Sequence, residues 1–146
     1  MNIEKSTEEI SGIEFVAPTM RTAIAVGDLF GRFPKKWQRL NAVPVMKIMS
    51  DGAKNVTFAN VIVAENKQEQ EEILEAIMTA RGSFSAIKDL LESYLEDTPG
   101  FIRHAQPENN FATLEDISNV CELLLETLNI LDKVYKFETK VYNKLG

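Results

Sequence analysis

Glu71-Glu72-Ile73-Leu74-Glu75 and Asp89-Leu90-Leu91-Glu92 are two places where this sequence sets carboxylates at helical spacing. Residues three and four apart share a helix face, and carboxylates so placed can hold a hard cation through oxygen. The ligands would be Glu72, Glu75, Asp89 and Glu92. A solvated acidic face gives the same pattern, in a chain with 22 acidic residues. Elsewhere, GRFPKKWQRL (31–40) interleaves Arg32, Lys35, Lys36 and Arg39 with Phe33, Trp37 and Leu40. Cations beside exposed rings can combine phosphate contacts with base stacking. The competing reading puts Phe33, Trp37 and Leu40 in the core and turns the cations to water. Trp37 and Leu40 are three apart, and so are Lys36 and Arg39, so each pair shares a face of a helix.

The acidic pattern resembles that of helical magnesium-dependent nucleotide pyrophosphohydrolases, which carry EExxE and, later, ExxD. Residues 71–75 match the first element, while 89–92 read DxxE, the reverse of the second. The resemblance spans residues 71–92 and implies magnesium and hydrolysis of a nucleotide.

Other chemistries find little material. His104 is the only histidine and falls in a segment rich in breakers. Cys121 is the only cysteine, at a core position of a helix, where a thiol behaves as a small hydrophobe. One of each is too few for a zinc site, and a lone thiol closes no intrachain disulfide. Neither GxxxxGK[ST] nor GxGxxG occurs. The sequence calls for no cofactor.

Composition sets the frame. The chain has 146 residues, 45% of them apolar and 26% charged, and fits one domain with its own core. The single thiol suits a reducing compartment. The opening MNIEKSTEEISG has no signal pattern, and no apolar run approaches a membrane span. These point to the cytoplasm, or to a virion if a phage encodes the chain. The net charge of -6 is unevenly distributed. Residues 21–54 carry seven cations against two anions, and the remainder nine cations against twenty anions. Such a split suits an anionic partner, or two parts of one chain attracting each other.

The elements that would position these groups are expected as follows. The fold class is α+β: a β-containing first part over 1–65, then a helical part over 66–146. "GIEFVAP" reads as a short strand ended by Pro18. Thr22, Ile24 and Val26 alternate like a strand, and Gly27-Asp28 suits a tight turn; Met20, Ile24 and Phe30 would instead share one side of a helix, and the strand reading is preferred. Pro34 opens a short helix that stops before Pro44. Val45–Met49 and Val56–Val63, joined through Asp51-Gly52, read as an antiparallel hairpin over about 43–63. Asn66 and Glu69 cap a helix that Gly82 ends, and Ser83 caps the next. Thr113 and Asp116 cap a last, long helix. A short strand pair ahead of an acidic helix resembles small virion or accessory proteins of tailed phages, with no motif to carry the likeness.

The last helix has the strongest pattern. Ile117, Cys121, Leu124, Leu128, Leu131, Tyr135, Glu138, Tyr142 and Leu145 repeat at 4-3 spacing, with only Glu138 off pattern. A second row, Val120 to Val141, widens the stripe. Such a helix is roughly 48 Å long, and each of the two before it about 20 Å. Part of its face therefore lacks a partner within the chain. The expectation is a non-enzymatic interaction or structural subunit that self-associates or binds a protein through Leu131, Val134, Tyr135, Phe137, Val141, Tyr142 and Leu145. The basic segment would be a second contact surface. Nucleic-acid binding through 32–39 is the alternative, and a magnesium-dependent hydrolase the third.

Overall fold

A computed structural model describes residues 3, 4 and 14–145 of the chain. Among these, the architecture is a four-helix bundle, not the expected α+β fold. Among the described residues β structure is confined to two two-residue strands, β1 (Ile3–Glu4) and β2 (Ile62–Val63), paired antiparallel with Ile3 opposite Val63.

The bundle is built from α1 (Val16–Gly31), a rod that runs as α2 (Lys35–Trp37), a π-helical turn (Gln38–Ala42) and α3 (Val43–Val61), then α4 (Lys67–Glu96), and α6 (Leu114–Lys144). A one-turn helix, α5 (Gly100–Arg103), lies in the connection before α6. Helices α1 and α3, α3 and α4, α4 and α6, and α6 and α1 pack side by side, which closes a ring. Neighbours run antiparallel: on α1 and α6, Arg32 meets Asp116 and Thr22 meets Thr127. On α4 and α6, Gln70 meets Glu138 and Arg81 meets Asp132.

The hairpin over 43–63 is instead helix α3, and the reason lies in Gly52. Val45, Met49, Gly52, Val56 and Ala59 are its buried residues, at 4-3-4-3 spacing. The pattern is helical once glycine counts as a face residue rather than a turn. A Cβ on Gly52 would lie 3.2 Å from Ser83 Cβ and 3.3 Å from Phe84 Cε2. Glycine is there to bring α3 close to α4. Pro44 falls at the start of α3 without stopping the rod. Its missing N–H leaves the Leu40 carbonyl without an i+4 donor, and the π turn shifts the hydrogen-bond register over that point.

The strand reading of Thr22, Ile24 and Val26 is replaced by α1. Its buried face is Thr19, Thr22, Val26, Leu29 and Phe30. Two threonines on the inner face hide the apolar period. Thr22 Oγ1 donates to the Pro18 carbonyl at 3.1 Å and lies 2.7 Å from Thr127 Oγ1, so its polarity is satisfied inside. Of "GIEFVAP", Val16, Ala17 and Pro18 belong to α1 and Gly12 and Ile13 lie outside the described residues.

Gly82 ends nothing. α4 runs 30 residues through it, and no glycine among the described residues has a positive φ. Asn66 does cap α4: its Oδ1 accepts from Glu69 N–H at 2.9 Å. The Thr113–Asp116 capping box of α6 is complete.

Candidate functional site

The acidic pairs do not converge. Glu75 and Asp89 stand fourteen residues apart on one unbroken helix, about 21 Å along its axis. Glu72 and Glu75 line a shallow cleft of about 310 Å³ with Asn55, Phe58, Ala76 and Thr79. Glu92 instead pairs with Lys88, one turn before it. Among the described residues no group of three or more His, Cys, Asp or Glu is placed to hold a metal ion. Both acidic elements of the pyrophosphohydrolase-like pattern lie on the one continuous helix α4.

The basic segment divides. Phe33 is buried, and its ring centroid lies 4.9 Å from that of Phe101 and 4.6 Å from that of Phe30. Trp37 is half-buried, edge-on to Tyr94 at 6.1 Å and Phe101 at 5.2 Å. These rings pack together at one end of the bundle. The side chain of Leu40 lies outside the described residues. Arg32 is structural: it pairs with Asp116 at 2.9 Å and reaches the Asn110 and Phe111 carbonyls, tying α1 to the start of α6. Lys35, Lys36 and Arg39 are exposed.

Asp116 thus serves twice, as the Arg32 partner and as the α6 cap. The Thr113 backbone N–H, at 2.9 Å, is the main reason its carboxyl lies below the usual range, and the Thr113 hydroxyl and Arg32 add to it. Burial, then the Glu92 charge, pushes the Cys121 thiol up. Burial alone raises the Tyr94 phenol. Exposed His104 closes α5. None of these places a nucleophile beside a base.

The stripe on α6 is largely used within the chain. The two helices expected before α6 are one, so α4 matches its length. Leu131 and Val134 are fully buried, and Tyr135, Phe137, Val141, Tyr142 and Leu145 are half-buried. Tyr142 is held to α4: its hydroxyl donates to Glu71 Oε1 at 3.0 Å, which raises its pKa, and Lys67 Nζ lies 4.7 Å from its ring centroid. Glu138, off pattern in sequence, is buried too, and accepts from Gln70 Nε2 at 2.7 Å.

The open apolar surface lies elsewhere. Between α1 and α3 runs a groove of about 430 Å³, lined by Met20, Ala23, Ile24, Gly27, Met46 and Met49 among others. Ile24 is 64% exposed and Met46 43%. Met46 Cε lies 3.4 Å from where a Gly27 Cβ would stand, so glycine keeps the groove floor low. Val43, one turn before Met46, is 71% exposed. Sequence reasoning missed this face because it preferred strands over a helix at 20–30 and read 43–63 as a hairpin. The signal was present: Met20, Ile24 and Gly27, like Val43, Met46 and Ser50, recur at helical spacing.

Among the described residues no helix is long and apolar enough to cross a membrane. Comparison with protein families, with curated proteins and with solved structures finds no match to this chain.

Proposed function

We propose that this chain is a non-enzymatic interaction subunit that self-associates, with the α1–α3 groove as its docking face. The observation that carries the reading is Ile24 and Met46, both in open contact with water in one apolar groove. Contiguous exposed apolar surface is the usual mark of a protein interface. The charge division supports a second copy as occupant: residues 21–54 carry seven cations against two anions, and the rest of the chain is strongly acidic. Opposite surfaces of two copies attract. The half-buried end of α6, at Phe137, Val141 and Tyr142, is a smaller second face.

Light scattering over a concentration series tests this. The wild type gives a mass above 16.4 kDa that rises with concentration, and Ile24→Asp, which alters only an exposed position, gives 16.4 kDa throughout. A wild type that stays at the mass of one chain overturns the reading.

A further inference from the structure

The groove has a charged rim. Lys47 and Lys54 are exposed and stand one turn to either side of Ser50, a lining residue. Arg21 is exposed one turn before Ile24. Asp28 is the single anion among the lining residues. None of the three cations takes part in an ion pair among the described residues. An occupant with an apolar centre and acidic flanks matches this rim.

The chain itself carries such a surface. Glu115, Ser118, Glu122, Leu125 and Asn129 follow one another at 3-4-3-4 spacing along α6. Leu125 is 48% exposed, with exposed Glu122 one turn before it and exposed Glu126 beside it. The same row continues to Asp132, two turns past Leu125, which bridges to Arg81 on α4 at 2.5 Å. The row therefore lies on the α4–α6 edge of the ring. That edge is opposite the α1–α3 edge, which holds the groove.

We infer that the α1–α3 groove of one copy receives the Leu125 row of α6 from a second copy, in head-to-tail order. The inference rests on the self-association reading and adds the partner surface. Leu125 enters between Ile24 and Met46, while Glu122 and Glu126 meet the Lys47, Lys54 and Arg21 rim. Socket and plug are different surfaces on opposite edges. One copy's plug in another's socket leaves a free socket and a free plug at the ends. Such heterologous contacts grow into rings or open chains rather than stopping at a two-fold dimer.

Two charge-reversed variants test it. K47E/K54E has an acidic socket and a normal plug, and E122K/E126K a basic plug and a normal socket. All four positions are exposed, so both variants keep the wild-type helix signal and thermal midpoint. Each alone associates at least about tenfold more weakly than the wild type, because like charges now face each other. Mixed in equal amounts, they regain assembly beyond two chains in alternating order, since the acidic socket of one takes the basic plug of the other and the unchanged socket takes the unchanged plug. Variants that each assemble as the wild type does overturn the inference. If Ile24→Asp abolishes assembly and E122K/E126K does not, the groove docks another surface, and the inference fails while the reading above stands. A monomeric wild type sinks both.

Discussion

Gln70 on α4 and Glu138 on α6, 68 residues apart in sequence, meet in the interior: Gln70 Nε2 donates to the Glu138 carboxylate at 2.7 Å and to its backbone carbonyl at 3.0 Å. Both side chains are buried, at 2% and 3% exposure. The contact fixes the register of the two longest helices where an apolar pair would let them slide. A buried carboxylate that loses a donor is costly. Gln70→Leu is expected to lower stability by about 2–3 kcal/mol, measured as a fall in urea midpoint without change in slope. A loss too small to measure would mean that the pair does not hold the register.

Two glycines on neighbouring helices have opposite predicted responses. Gly82 is exposed within α4, with nothing within 4 Å of a built Cβ. Gly82→Ala removes a helix-interior penalty and is expected to raise stability by about 0.5–1 kcal/mol. Gly52 faces Ser83 and Phe84 at 3.2 and 3.3 Å. Gly52→Leu must push α3 off α4 and is expected to cost about 3 kcal/mol or more. Equal thermal midpoints for the two variants would contradict the close approach of these helices.

The start of α6 gives the acid limb of the stability profile. The Asp116 carboxyl is held below its ordinary value, first by the Thr113 backbone N–H, then by the Thr113 hydroxyl and Arg32. A group whose folded pKa is depressed adds stability above its unfolded value and loses it as pH falls through the folded one. The unfolded value is about 3.9, so the contribution is full at neutral pH and fades below about pH 4. Asp116→Ala should therefore be less stable than the wild type at pH 7 and approach it near pH 2. A stability difference that stays constant from pH 7 to pH 2 would refute the assignment. Thr113→Ala, which removes the hydroxyl half of the capping box, is expected to cost about 1 kcal/mol.

Cys121 is buried, and burial raises its thiol pKa. The thiolate is the reactive form. The native protein should react with an aromatic disulfide reagent far more slowly than the urea-unfolded chain, with the native rate following unfolding. Fast labelling of the native protein would place Cys121 outside the core.

How much of this was legible in the sequence depended on which residues occupied the inner faces. α6 was readable because Ile117, Cys121, Leu124, Leu128 and Leu131 are apolar, and all five are buried. Both cap pairs, Asn66–Glu69 and Thr113–Asp116, form as their spacing predicts. α1 was obscured because Thr19 and Thr22 take inner positions, and because Ile24, the residue that best suggested alternation, points outward. α3 was obscured by Asp51-Gly52, where a turn pair and a helix-contact glycine look alike in one dimension. Only the distance to Ser83 and Phe84 separates them. Gly82 misled in the same way, splitting one helix into two and leaving α6 with a face that seemed to lack cover. The α1–α3 groove depended on both of the misread helices, so it could not be seen until they were placed.

The central claim is that the groove between α1 and α3 is where copies of this chain meet. Three of the five methionines, Met20, Met46 and Met49, line it. Methyl NMR of protein labelled at the methionine methyls, recorded across a dilution series, reads that face directly. The Met20 and Met46 methyls are expected to shift or broaden as concentration rises. Methyls of Met20 and Met46 that hold their positions through association, or a protein that shows no association at all, would contradict it.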